Sequence, residues 1–368
     1  EIVFERNFKI WKIKAEGGKP QELAITLRGA ASSPMMERIN LSSQVGELSL
    51  SPDGKKVAVI SHGEVFAASS KDGGEAVRIT NTVAPESNLA WSPDSKKLVY
   101  SSERGGAYEI FQYDFPTETE TQLTRGTNED IAPSFSPDGK TLAFVRNARA
   151  IFTYNLETKV EKELCKTYTD TAPLGGESFK WSPDGKWIAF LTASPLTRSY
   201  TNVSVVPASG GEAKPISFLS NSNAGSIAWS ADGSYILYGS SQRTEDGVIA
   251  RIDLKLRTPK FREDQFRDLF KQENPRDKPS GPPASPQPSP AGIAAEKKDE
   301  SKTTEIVFED IRKRLSFINT GVNNNGVIIS PDGKTLLILG SAEGQFNFYT
   351  MSLDELATDT AVRQLTST

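Results

Sequence analysis

The sequence has a single cysteine and a single histidine, and each scarcity excludes a type of chemistry. With Cys165 as the only thiol, no disulfide can form within the chain, so the fold must hold without covalent staples. With His62 as the only imidazole, a His-based metal cluster is excluded, and a Ser-His-Asp triad could be built only around that residue. The segment Ser61 to Glu64 predicts a tight turn around His62, and Cys165 is predicted to be a packed or partly exposed thiol rather than a nucleophile. The sequence therefore predicts no catalytic residue, no cofactor and no metal ion.

Long apolar runs and runs of basic residues are also missing. No stretch approaches the roughly 18 apolar residues that a spanning helix needs, so no membrane span is predicted. The 43 Lys and Arg are mixed with 47 Asp and Glu, for a net charge of −4, which excludes the basic stripe of a nucleic-acid-binding protein. What the chain has instead is 28 Gly and 22 Pro between short apolar segments, which indicates many short strands and turns.

A repeated turn motif organises these strands. An apolar residue followed by Ser-Pro-Asp-Gly-Lys, or a close variant, recurs at successive offsets of 41, 44, 46, 48 and 100 residues. The motif serines are Ser51, Ser92, Ser136, Ser182, Ser230 and Ser330. A four-stranded propeller blade takes about 40 to 50 residues, so the first offsets predict one blade each and the last predicts a blade with an insertion. Pro presets φ, Asp bonds back to the turn and Gly accepts a left-handed conformation, so each motif predicts a hairpin.

The three strands that follow the motif in each repeat differ in their pattern of apolar residues. The segment after the turn is apolar at adjacent positions, as in Val57 to Ile60 and Leu142 to Val145, which predicts a strand covered on both faces. Third strands such as Tyr108 to Tyr113 alternate, and fourth strands such as Thr121 to Thr124 are short and polar. Stacked blades would supply the cover on both faces.

The same frame predicts the number of blades and the domain organisation. Residues 1–27 fit a blade that lacks its innermost strand and turn, with Ile2-Val3-Phe4 as second strand. The fold class is therefore all-β, a β-propeller of seven blades with the first truncated, or of six blades as the alternative. We expect residues 1–368 to form one domain. Because the chain begins without Met and already inside a strand, we expect it to be a piece of a longer protein.

The insertion lies between the third and fourth strands of one blade. At about 274–302 the chain is rich in Pro and Lys, and we expect this segment to be disordered. Just before it, residues 261–273 carry Phe266, Leu269 and Phe270 at helical spacing, which predicts a helix against the propeller side. The fourth strand is expected to resume at Ile306 to Phe308 and at Ile311 to Ser316.

The repeat resembles the propellers of the TolB and tricorn protease group. A narrower resemblance rests on Glu1 to Lys14, on Val45 to Lys55, and on Val-Phe-Glu-Asp-Ile-Arg-Lys-Arg-Leu at 307–315 after the insertion. These segments are similar to the second propeller of bacterial tricorn-like serine proteases, and the likeness covers essentially the whole chain. It implies a parent whose PDZ and peptidase domains follow the propellers, with none of their catalytic residues here.

For this chain the resemblance implies a noncatalytic ring that admits, filters or orients peptides or unfolded protein segments, or that scaffolds an oligomer. The alternative is a TolB-like scaffold that binds proteins and has no attached enzyme, and a third is a propeller attached to a prolyl-oligopeptidase-type hydrolase. A periplasmic or secreted parent is expected for the bacterial members, with the cytoplasm as the alternative. Peptide specificity is not encoded in any motif.

The candidate binding residues lie in the loops that join each fourth strand to the next first strand. In a propeller these loops gather at one mouth of the channel, and loops on a rigid ring often carry function. Glu86, Glu129, Asp130 and Glu177 fall in them, which predicts an acidic mouth. The alternative is that these four residues are ordinary loop charges exposed to solvent.

Overall fold

The computed structural model describes residues 1–7, 9–25, 44–167, 179–193, 200–220, 222–242, 246–257 and 303–367. Strands dominate these residues, and the one helical segment among them is a short 3-10 turn at Ile311–Arg314. The chain divides into two compact units, Glu1–Ile227 and Ala228–Thr368. The predicted helix at 261–273 and the predicted disordered insertion at about 274–302 lie outside the described residues.

The first unit consists of successive antiparallel repeats, named A to E in chain order, whose strands are numbered from first to fourth. Repeat A has three strands, β1 (Ile2–Arg6), β2 (Lys9–Ile13) and β3 (Gln21–Glu22). The four-stranded repeats are B, with β4 (Val45–Leu50), β5 (Lys56–Ser61), β6 (Glu64–Ser69) and β7 (Val77–Arg78); C, with β8 (Glu86–Trp91), β9 (Lys97–Ser102), β10 (Glu109–Asp114) and β11 (Thr119–Gln122); D, with β12 (Asp130–Phe135), β13 (Thr141–Arg146), β14 (Ala150–Asn155) and β15 (Glu161–Lys166); and E, with β16 (Phe179–Trp181), β17 (Trp187–Ala193), β18 (Thr201–Pro207) and β19 (Lys214–Pro215).

Repeats F and G form the second unit, although strand β20 begins in the first, where its Asn223 pairs in parallel with Thr201 of β18. Their strands are β20 (Ser222–Trp229), β21 (Tyr235–Gln242), β22 (Val248–Asp253) and β23 (Leu315–Ile318) in F, and β24 (Asn323–Ile329), β25 (Thr335–Ala342), β26 (Gln345–Ser352) and β27 (Arg363–Gln364) in G. The predicted all-β organisation in repeats of four strands is confirmed, whereas the number of blades in a closed ring and the single domain stay predictions.

The Ser-Pro-Asp-Gly motif forms the predicted hairpin between first and second strands because its side chains satisfy the turn. Ser136 Oγ donates to Asp138 Oδ1 at 2.6 Å and accepts the Thr141 N–H at 3.0 Å. Asp138 also accepts the Lys140 N–H at 3.1 Å. The same pattern recurs around Ser51, Ser92, Ser182 and Ser330. Hydrogen bonds from Ser and Lys lower the pKa of Asp53, Asp94, Asp138 and Asp332. We call the end of the strands that carries these turns the turn end.

The core lies between adjacent repeats, as the adjacent apolar positions predicted. In β13, Leu142 and Phe144 pack on repeat C, whereas Ala143 and Val145 pack on repeat E. Strand β25 alternates instead, with Leu336 and Ile338 buried and Leu339 38 % exposed, because one face of repeat G is covered within its unit.

The tryptophans that precede the motif link neighbouring repeats of the first unit. Trp91 is buried and its Nε1 donates to the Ser49 carbonyl of repeat B at 3.0 Å. Trp181 is half-buried and its Nε1 donates to the Ser134 carbonyl of repeat D at 3.3 Å. The indoles therefore fill the space between first strands and satisfy backbone carbonyls there.

The fourth strand of repeat F differs from the prediction. Ile311–Arg314 is a 3-10 turn rather than a strand, and β23 begins only at Leu315. Asp310 has a φ of 53°, which reverses the chain, and Arg314 Nη1 donates to the Leu254 carbonyl at 3.0 Å. This hydrogen bond stabilises the segment as a turn, and strand β23 begins after it.

Candidate binding surface at the loop end

The loop end is the end of the strands opposite the turn end, where each fourth strand leads to the next first strand. A hydroxyl in each described loop of the first unit accepts a backbone N–H of a third strand. The pairs are Thr80 with Val65 (2.9 Å), Thr124 with Ile110 (2.9 Å) and Ser217 with Val203 (2.7 Å). In the second unit Thr366, which follows the last strand β27, accepts the Phe348 N–H at 2.9 Å in the same way. These hydroxyls hold the loops in one conformation relative to the sheets.

A polar side chain at the start of the third strand adds a second bond. Glu64 accepts the Thr82 N–H at 2.8 Å, Glu109 accepts the Gly126 N–H at 2.9 Å, and Asn202 accepts the Leu219 N–H at 3.0 Å. Both Glu64 and Glu109 are buried. Buried carboxylates that receive backbone N–H groups rigidify the loops they hold.

Glu86 is one of the four predicted site residues, and it is buried rather than exposed. Its Oε1 accepts bonds from Thr82 Oγ1 at 2.9 Å, Ser102 Oγ at 3.1 Å and Arg104 Nη2 at 3.3 Å, while its Oε2 has no hydrogen-bond partner in the described residues. Burial, together with the nearby charge of Glu64, raises the pKa of Glu86 to about 7.

Arg104 is shared between Glu86 and a second carboxylate, Glu120, to which it makes the shorter hydrogen bonds. Its Nη1 and Nη2 donate to Glu120 at 2.6 Å and 3.1 Å, and its guanidinium lies 4.0 Å from the centre of the Phe111 ring. Arg78 pairs with Glu64 at 3.0 Å. Two guanidinium groups thus face three carboxylates, and Glu86 is the carboxyl in excess.

Asp130 is the second predicted residue that is buried. Arg146 holds it through a bidentate pair, with Nε to Oδ1 at 2.7 Å and Nη2 to Oδ2 at 2.8 Å, and Nη1 donates to Glu161 at 2.9 Å. The guanidinium lies over the ring of Phe152. Asp130 therefore forms a structural ion pair with Arg146 at the start of strand β12.

Glu86 and Asp130 are therefore not solvated loop charges, because each is buried among hydrogen-bonding partners, and their assignment to a binding mouth stays a prediction. Glu129 is exposed and accepts the Tyr108 N–H at 3.1 Å, so its assignment to binding stays a prediction. Glu177 lies outside the described residues.

Two concave sites lie in the second unit. One, of about 410 Å³, is at the turn end and is lined by Asp232, Arg251, Asp332 and Lys334 among others. The other, of about 530 Å³, is at the loop end and is lined by Asp246 to Val248 and Phe317 to Val322. The second site has the greater volume and a mixed apolar and polar lining.

His62 and Cys165, the only histidine and the only cysteine of the sequence, lie in the predicted turn and in a partly buried position. His62 has a φ of 51° and lies exposed in the turn between β5 and β6. Burial and the charge of Glu163 raise the pKa of Cys165 to about 12, so its thiol is protonated at neutral pH.

Among the described residues, no group of His, Cys, Asp and Glu could hold a metal ion. The same residues include no helix with the length and hydrophobicity of a membrane span.

Comparison with known proteins supports the same fold class. Residues 21–176 match the family model for the TolB beta propeller domain. The Tol-Pal system protein TolB of Francisella tularensis subsp. mediasiatica is 33 % identical over 93 residues, which are 24 % of this chain and 21 % of that protein. An uncharacterised protein of Agrobacterium fabrum is 27 % identical over 147 residues, 39 % of this chain and 49 % of that one. The chain spans about half the length of the latter relative and about a fifth of the former.

Among solved structures, tricorn protease covers 98 % of this chain with a TM-score of 0.61 and 18 % identity, and the chain covers 34 % of it. The chain has a β-propeller fold of the TolB and tricorn type.

Proposed function

We propose that the chain is a noncatalytic propeller that binds polypeptide segments at its loop end. The observation that carries the proposal is the way the loops are fixed: the same hydroxyl bond holds three loops of the first unit, and buried Glu64 and Glu109 reinforce two of them. Loops immobilised on a rigid sheet bind a partner with little loss of chain entropy. In the second unit, an open site of about 530 Å³ lies where strand β23 leads to β24.

Two settings for this binding remain. In the first, the propeller belongs to a tricorn-like serine peptidase and admits, filters or orients peptides for peptidase and PDZ domains elsewhere in the parent. The likeness to tricorn protease over 98 % of the chain supports this setting. In the second, it is a TolB-like scaffold for protein partners without an enzyme, which the match of residues 21–176 to the TolB domain model supports.

The binding is tested by titrating residues 1–368 with reduced, carboxymethylated α-lactalbumin, an unfolded protein, in a calorimeter. Saturable binding is expected for the unfolded protein and none for the same protein folded. Absence of any heat or of any complex on gel filtration with the unfolded protein would contradict the proposal.

The setting is tested by peptide cleavage. Residues 1–368 should not cleave the unfolded protein, because the sequence holds one histidine, in a turn and outside any catalytic motif. A parent that cleaves it supports the peptidase setting, and a parent that binds without cleaving supports the scaffold. Turnover by residues 1–368 that is lost on His62→Ala would contradict both.

A further inference from the structure

Strand β23, the fourth strand of repeat F, differs from every other described fourth strand. Its sequence is Leu-Ser-Phe-Ile, without a charge or a proline. Each of the others carries at least one charged residue: Glu22 in β3, Arg78 in β7, Glu120 in β11, Glu161 in β15, Lys214 in β19 and Arg363 in β27. Charges and prolines on outer strands discourage pairing with another chain, so β23 lacks a protection that the other repeats have.

The outer edge of β23 is open in the described part of the chain. The strand pairs with β22 on one side, from Ile249 opposite Ile318 to Ile252 opposite Leu315, and no described strand lies on the other side. Alternate backbone N–H and C=O groups of an edge strand point away from its sheet. Phe317 is 54 % exposed on this strand, so the edge presents an aromatic ring as well as hydrogen-bonding groups.

The site of about 530 Å³ lies at the end of this edge. Phe317, Ile318, Val248 and Val322 give it apolar walls, and Asp246 is the charged side chain in its lining. Asp246 is exposed, and none of the ion pairs within the described residues involves it. An apolar wall beside an uncompensated carboxylate suits a partner with an apolar side chain next to a positive charge.

We propose that the edge of β23 binds an extended polypeptide by strand addition, with an apolar side chain in the adjacent site and a cationic group of the polypeptide beside Asp246. This inference rests on the proposed function, to which it adds the place and the mode of binding. Main-chain hydrogen bonds along an edge give affinity without sequence preference, and the site at its end selects the side chain.

A second copy of this chain fits the site less well. Pairing of two β23 strands would bring Arg314 as the nearest cation, and Arg314 is already bonded to the carbonyls of Leu254, Val307 and Glu309. The charge of Asp246 therefore favours a different polypeptide that carries its own cation.

The test uses a fluorescein-labelled peptide, Lys-Thr-Phe-Thr-Val-Thr, measured by fluorescence anisotropy against residues 1–368. Phe317→Lys adds to β23 the charge that the other fourth strands carry, and it should weaken binding about tenfold or more. Asp246→Asn should weaken this peptide several-fold and leave a peptide with norleucine in place of Lys unchanged. Val77→Lys places the same charge on β7 at a residue that is 62 % exposed, and binding should be unchanged.

Two further peptides test the backbone. They are N-methylated at alternate residues, so that each lacks the N–H donors of one edge, and one of the two should lose binding while the other keeps it. Equal binding of both, an affinity unaffected by Phe317→Lys, or a dimer of the protein that Phe317→Lys dissociates would overturn the inference.

The outcome also separates this inference from the proposed function. If the wild type binds unfolded α-lactalbumin and Phe317→Lys binds it equally well, strand addition at β23 is wrong and the propeller binds polypeptide elsewhere. If the wild type binds neither the peptide nor the unfolded protein, the proposed function itself is wrong.

Discussion

The excess carboxyl at the loop end makes the stability of the protein depend on pH in an unusual direction. Glu86 has a raised pKa, about 7 against an ordinary value of 4.5, because its buried side chain shares its surroundings with Glu64 and is only weakly served by Arg104. Between those two pH values the native state keeps the proton and the unfolded chain has released it. The free energy of unfolding therefore falls as pH rises through this window.

The magnitude follows from the pKa of Glu86. Each pH unit between the unfolded and the native pKa of Glu86 changes the free energy of unfolding by about 1.4 kcal/mol. Titration of this carboxyl therefore lowers the free energy of unfolding by about 3 kcal/mol between pH 4.5 and pH 7. Below pH 4.5 the carboxyl is protonated in both states and its native interactions are fully retained. Glu86→Gln keeps the shape and the acceptor oxygen and removes the titration. The variant should therefore gain about 3 kcal/mol relative to wild type as pH rises across this range.

The assay is urea unfolding of wild type and Glu86→Gln at several pH values from about 4.5 to 8, followed by tryptophan fluorescence. Glu129→Gln is the matched control, because Glu129 lies exposed in the next loop and its variant should follow the wild-type profile. Parallel profiles for wild type and Glu86→Gln would refute the assignment of the excess carboxyl, and a variant that loses stability with pH more steeply than wild type would reverse it.

Three other predictions concern packing and reactivity. In urea unfolding, Trp91→Ala should lower the free energy of unfolding by about 3 to 5 kcal/mol, because a buried indole and its hydrogen bond to Ser49 are lost. Leu50→Ala should lower it by less than about 1 kcal/mol, since Leu50 is 56 % exposed, and equal losses for the two variants would contradict this. Ser136→Ala should cost about 1 to 2 kcal/mol in the same assay, because both Asp138 and the Thr141 N–H lose their hydroxyl partner, and an unchanged midpoint would show that the turn holds without it. Cys165 should react with iodoacetamide at about pH 8 only in denaturant, as checked by mass spectrometry, and rapid native labelling would contradict its raised pKa.

The repeat could be predicted because its turn chemistry is local. Ser, Pro, Asp and Gly within a few residues are sufficient to form the hairpin, so each motif serine predicted the end of a first strand. The buried second strands followed from their adjacent apolar residues. The strand at Ile2-Val3-Phe4 was predicted with the same logic, and β1 lies there.

The candidate site was less predictable because its bonds join residues that are far apart in sequence. Glu86 was assigned to a loop at the channel mouth, and its burial depends on Ser102 and Arg104, which belong to the second strand and the following turn. The loop hydroxyls did leave a signal: Thr80 and Thr124 each follow an apolar residue at the end of a fourth strand and are separated by the length of one repeat. The absence of charge in β23 became meaningful only once the strand was placed at a sheet edge.

Photo-crosslinking tests the central claim, polypeptide binding at the loop end without cleavage, most directly. Unfolded α-lactalbumin carrying a photo-reactive group is bound to residues 1–368, irradiated and analysed by mass spectrometry. We predict cross-links in loop-end segments, including 80–86, 124–130 and 317–322, with the α-lactalbumin chain intact. Cross-links confined to the Ser-Pro-Asp-Gly turns, or cleavage products of the unfolded protein, would contradict the account.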